Sequence, residues 1–162
     1  MGEKVTPIPE DFHTITPHLC VKNVSRAIEY YQDIFGAEEL YRNTLPDGKT
    51  IIHSEMLLGD SRFFLHDEFP EHNVLSPETL KGSGLTLHLY VENVDDYYEK
   101  ARNAGCEVLF ELDDTFWGDR YCKLKDPFGH LWSIASRIED LSPAETNKRA
   151  EEFFSKGSFS KE

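Results

Sequence analysis

The sequence predicts an α+β fold built from two βαβββ modules, with one further helix at the carboxyl end. Three observations predict it. Thr16-x-His18-Leu19-x-Val21-x-Asn23-Val24 recurs as Thr86-x-His88-Leu89-x-Val91-x-Asn93-Val94, at a constant offset of 70 residues. Each copy runs into an amphipathic helical pattern, and each helix is followed by three strand-like runs separated by turn residues.

The opening strand of each copy alternates with period two. Leu19 and Val21, or Leu87, Leu89 and Val91, share one face and are expected under a helix. The other face carries Thr16, His18 and Cys20 in one copy and Thr86, His88 and Tyr90 in the other. Small, polar and aromatic residues of this kind suit a cavity lining more than a dry core. The helices are expected over Val24–Phe35 and Val94–Ala104, stopped by Gly36 and Gly105.

After the first helix the strand-like runs are Glu38–Thr44, Thr50–Leu58 and Arg62–His66, with turns at Pro46-Asp47-Gly48 and Gly59-Asp60. After the second they are Glu107–Leu112, Arg120–Lys125 and Leu131–Ser136, the last two joined by Asp126-Pro127-Phe128-Gly129. Module one is therefore set at 13–68 and module two at 85–138, within one domain spanning 1–162. Between them, 69–84 holds Pro70, Pro77, Gly82 and Gly84 without clear periodicity and reads as a linker.

The tail begins Ser142-Pro143-Ala144-Glu145, a capping box with proline at the first helical position. A helix is expected over about 143–155, its apolar residues Ala144, Ala150, Phe153 and Phe154 facing either its own body or a second subunit.

Composition narrows the function. With 17 basic against 30 acidic residues, the net charge of −13 repels phosphate backbones and anionic membranes, which excludes nucleic acid and membrane surfaces as expected partners. No run approaches the length of a membrane span, and the polar start MGEKVTPIPEDF lacks a signal peptide's apolar core, so a cytoplasmic location is expected. Met1, Gly2 and Thr6 fit a myristoylation template, but Glu3 and the missing basic patch argue for a chance match. Three cysteines, Cys20, Cys106 and Cys122, without CxxC spacing suggest reduced thiols and neither a disulfide framework nor a zinc knuckle. GxSxG, GxGxxG and P-loop patterns are lacking, which removes the usual support for acyl transfer, dinucleotide chemistry and nucleotide hydrolysis.

The repeat, with the segments LCVKNVSRAIEYYQDIFGAEEL and WGDRYCKLKDPFGHLWSIA and the tail beginning LSP, resembles the glyoxalase and bleomycin-resistance group of the vicinal oxygen chelate superfamily over roughly 14–137. The resemblance implies curved mixed sheets from paired modules, each enclosing a cleft, and commonly a homodimer. In metal-dependent members of the group, two histidines and two glutamates of the opening and closing strands hold a divalent ion. Here the matching positions are Thr16, Thr86, Ser133 and a position near Phe64, none a strong metal ligand. No cofactor is therefore expected at the family positions.

A shifted set stays open. Two residues along each strand, on the same face, stand His18, His66 and His88, which either form a three-imidazole divalent-metal site or line a cavity and hydrogen-bond a guest. His53 and Glu55 share a face of their strand; they either serve acid-base chemistry, as catalytic candidates, or are an exposed strand face. Trp117 and Arg120 either close over a ligand or make structure, Arg120 through an ion pair with Asp119 and Trp117 on the linker. Trp132 is expected under the helix, while His13, His72 and His130 are expected to be solvated.

The cleft candidates are thus Thr16, His18, Phe64, His66, Thr86, His88, Tyr90, Trp117, Arg120 and Ser133. Two functions compete. One is metal-independent binding of a small, partly planar molecule, with the acidity favouring a cationic guest. The other is a divalent-metal lyase, isomerase or dioxygenase acting on a small oxygenated substrate. A structural or regulatory dimer with an empty cleft is the third possibility.

Overall fold

A computed structural model describes residues 5–156. Met1 and Gly2 of the acylation template lie outside the described residues. The chain's contacts divide it into two units, 1–82 and 83–162, which repeat one plan.

In the first unit, β1 (His18–Val21) leads into α1 (Val24–Phe35), β2 (Glu38–Thr44), β3 (Ile51–Leu58) and β4 (Ser61–Asp67). The sheet order is β1-β4-β3-β2, with β1 parallel to β4 and the other neighbours antiparallel. Asn23 caps α1 by accepting the Arg26 amide, and Gly36 ends it at φ 69°, a left-handed conformation that glycine adopts without a Cβ penalty. The core lies between α1 and one face of the sheet: Tyr31 stacks on Phe35 at 5.9 Å and meets the edge of Phe63, over Leu19, Val21 and Leu65. Each such buried side chain contributes roughly 1.5–3 kcal/mol.

The second unit follows suit with β5 (Thr86–Tyr90), α3 (Val94–Asn103), β6 (Glu107–Asp114), β7 (Asp119–Lys125) and β8 (Leu131–Arg137), in the order β5-β8-β7-β6. Asn93 caps α3 through the Asp96 amide, as Asn23 does for α1. Even the link from sheet to helix is repeated: the first helical amide, Val24 or Val94, donates to the last strand of its sheet, to Asp67 Oδ1 in one unit and Ser136 Oγ in the other, both at 3.0 Å.

The DPFGHLW segment is a buried polar knot. Asp126 Oδ1 accepts the Phe128 and His130 amides at 2.9 Å each, and its Oδ2 accepts Trp132 Nε1 at 2.8 Å. Trp132 packs in the core as expected. His130, expected to be solvated, is only 6% exposed, because the Asp126 turn folds it inward; His13 and His72 are exposed.

The segment 69–84 departs from a featureless linker. It holds one 3-10 turn (Pro70–His72) and a one-turn helix, α2 (Pro77–Leu80), capped by Ser76. The tail helix α4 (Pro143–Ser155) has Ser142 as its cap, with Phe153 and Phe154 packed on Phe116 of its own unit at 5.3 and 5.9 Å. Among the described residues no helix is long and apolar enough to cross a membrane.

Candidate functional site

Each sheet keeps one face free of its helix, and the strand registers decide what stands there. In the first unit His18 lies opposite Phe64 and Cys20 opposite His66 on the parallel β1–β4 pair. Glu55 lies opposite Phe64 on β3, and His53 pairs with Asn43 of β2. The result is a ring cluster. The His18 ring meets His66, Phe64 and His53 edge-on at 4.5, 5.5 and 5.9 Å, and His53 lies 4.6 Å from Phe64.

This crowding shapes the protonation of His18. Burial, then His66, then His53 lower the His18 pKa from 6.5 to about 4, so His18 is neutral at physiological pH although its outer edge is exposed. His66 Nδ1 donates to the Asp67 carbonyl at 2.8 Å, which leaves Nε2 as the acceptor nitrogen. Glu55 is ion-paired with Arg62, whose guanidinium also reaches Asp11 and lies 4.9 Å from the centre of the Phe12 ring. That pairing engages the Glu55 carboxylate within its own sheet. Thr16 lies two residues before the first strand begins.

In the second unit His88 lies opposite Ser133, the position that Phe64 holds opposite His18. His88 Nδ1 is 2.6 Å from Ser133 Oγ, and its ring lies 4.6 Å from Tyr90 and 6.3 Å from Tyr121. Tyr90 OH and Trp117 Nε1 both donate to Oδ2 of Asp119, at 3.1 and 3.0 Å. Thr86 stands two residues before His88, opposite Leu131.

Arg120 corrects the sequence expectation. It belongs to the opposite face of β7 from Asp119 and Tyr121, and it makes a two-pronged contact to Asp95 in the first turn of α3 plus one to Asp114. Strand alternation separates neighbours, so the Asp119–Arg120 pair, one of the two alternatives for Arg120, does not form, and Arg120 lies away from the helix-free face that carries the other cleft candidates. The buried setting of Asp119 depends on Tyr90, 29 residues away.

The histidines of the shifted set divide between the units, His18 and His66 in one and His88 in the other. Among the described residues no group of three or more His, Cys, Asp and Glu side chains is placed to hold a metal ion. At the four family positions the donors are two threonine hydroxyls, a serine hydroxyl bonded to an imidazole, and a phenyl ring. That donor set does not fit nickel or zinc.

The sequence model of the Glyoxalase/Bleomycin resistance protein/Dioxygenase superfamily matches residues 12–134. The uncharacterized protein Mb0911c of Mycobacterium bovis is 37% identical over 131 residues, 79% of this chain and 86% of that protein. TioX from Micromonospora sp. ML1 has a similar structure, with a TM-score of 0.61 at 22% identity over 78% of this chain and 99% of that one. The fosfomycin resistance protein FosX of Listeria monocytogenes, solved with Mn(II) and sulfate, gives 0.59 at 19% identity over 85% and 97%. At such identities the two structures speak to the fold alone.

Proposed function

The chain belongs to the Glyoxalase/Bleomycin resistance protein/Dioxygenase superfamily, and from that premise we propose that it binds a small, partly planar molecule on the helix-free faces of its sheets without the metal site of its metal-dependent relatives. The observation that carries this reading is the donor set Thr16, Phe64, Thr86 and Ser133 at the family's ligand positions, with Ser133 already engaged by His88. Rings on these faces, Phe64 with His18 and His53 in one unit and Tyr90 with Trp117 and Tyr121 in the other, offer surfaces for a planar guest. The reading extends to a cytoplasmic homodimer; Cys20, Cys106 and Cys122 form no disulfide with one another, as a reducing compartment favours.

Metal analysis of native protein purified without chelator tests this proposal. Substoichiometric metal, with a melting temperature unmoved by nickel, zinc, manganese or ferrous ions, is the expected result. One tightly held divalent ion per chain, removable with loss of an activity, overturns it and favours a metal-dependent lyase, isomerase or dioxygenase instead.

A further inference from the structure

Asp119 and Asp126 are the two buried carboxylates among the described residues of the second unit; Asp126 is held by turn amides and the Trp132 indole, whereas Asp119 accepts from two accessible aromatic side chains. Asp119 is 4% exposed, yet among the described residues no cation forms an ion pair with it. Arg120, its neighbour in sequence, is spent on Asp95 and Asp114 from the other face. Arg137, its register partner on β8, is two-thirds exposed and pairs with Asp140 at 3.4 Å. Lys123 lies on the same face but four residues along the strand, about 13 Å away. Two neutral donors, Tyr90 OH and Trp117 Nε1, fall on the single oxygen Oδ2. A buried carboxylate held only by neutral groups is costly, and a cation brought to it recovers much of that cost.

The surroundings say which cation. The two donors are aromatic, so their rings radiate from the carboxylate, and both remain accessible: Tyr90 is 65% and Trp117 39% exposed. Tyr121 adds a third ring, 5.6 Å from Trp117 and nearly perpendicular to it at 77°. Ring faces attract a diffuse positive charge but supply no lone pairs for a metal ion. We propose that Asp119 with Trp117, Tyr90 and Tyr121 forms a recognition site for an alkylated ammonium group. This rests on the binding reading above and names the chemical class of its guest. The Asp119 carboxylate supplies the opposite charge and the rings supply apolar contact and cation–π attraction, so the site prefers a methylated ammonium to an isosteric neutral group.

Calorimetric titration of the full chain with choline, and with its uncharged isostere 3,3-dimethylbutan-1-ol, tests this. Choline is expected to bind at least tenfold more tightly than the alcohol, and Asp119→Asn, which keeps the acceptor oxygen but removes the charge, is expected to weaken choline at least tenfold. Trp117→Leu is expected to weaken it as well and serves if the Asp119 variant does not fold. Equal affinity for choline and the alcohol, or choline binding unchanged in either folded variant, overturns the proposal. Metal analysis is independent of this titration: a stoichiometric metal sinks the broader reading, whereas a failed choline titration removes only the guest class.

Discussion

His88 Nδ1 lies 2.6 Å from Ser133 Oγ, across the parallel pair of strands that opens and closes the second sheet. In the first unit the corresponding partners, His18 and Phe64, meet edge-on with no hydrogen bond between them. One register therefore hosts a polar contact in one unit and an aromatic one in the other. Ser133 is buried, so Ser133→Ala removes a bond from the imidazole while leaving the backbone ladder intact. A loss of about 1 kcal/mol is expected in urea unfolding. A change within error of zero means the imidazole finds water just as well.

The His18 cluster predicts a pH dependence with a definite sign. The folded state holds His18 at about pKa 4 against 6.5 when unfolded, so below pH 6.5 the unfolded chain binds the proton more readily. The stability tied to its neutral form is fully present above pH 6.5 and is lost as pH falls toward 4. His18→Phe keeps a ring of similar reach and removes the titration. Melting temperatures measured from pH 7 to 4.5 should fall less steeply in this variant than in the parent; identical slopes argue that the cluster does not sense protons.

Arg120 separates structure from site. Its pairs with Asp95 and Asp114 are only partly shielded and lie on the helix side of β7. Arg120→Ala should cost about 0.5–1 kcal/mol in stability, most of it at low salt, and leave guest binding unchanged. Weakened choline binding with an intact fold contradicts that placement.

How much of this was legible beforehand follows from how local each cause is. Asn23 and Asn93 cap their helices through amides three residues on, so the repeat that announces the fold is made of short-range contacts. Ser142-Pro143 starts α4 by the same local signal, and Ser76-Pro77 starts α2 by it as well. The site is less legible because its partners are remote in sequence. Asp67 and Ser136, which anchor the first helical amides, lie over forty residues from them. Period-two alternation places His18 and His88 on the helix-free faces, whereas Phe64 enters through the family resemblance; for Arg120 the same alternation points to the helix side of β7, where Asp95 and Asp114 hold it.

Asp126→Ala tests the turn of the DPFGHLW segment. The substitution strips acceptors from two buried amides and from the indole of Trp132 at once. Each stranded donor costs about 1–3 kcal/mol, so a loss of at least 3 kcal/mol is expected, with altered near-ultraviolet dichroism from the tryptophan. Asp126→Asn keeps one acceptor oxygen and should recover part of the loss. A mild effect of the alanine variant means that water replaces the carboxylate in the turn.

Gly118 holds the proposed ammonium site in place. Lying between Trp117 and Asp119, it adopts φ 93°, and a Cβ there would sit 2.9 Å from the Glu139 carbonyl oxygen. Its own carbonyl accepts the Ile138 and Glu139 amides at 2.9 and 3.0 Å, so the loop before β7 is tied to the segment after β8. Gly118→Ala meets both a conformational penalty and a backbone clash that no side-chain rotation relieves. A loss of about 2–3 kcal/mol is expected in chemical unfolding. Because relief of the clash has to move the loop, the indole is displaced from Asp119, and the folded variant should bind choline more weakly than the parent. If stability falls while choline affinity holds, the indole reaches Asp119 without help from this turn.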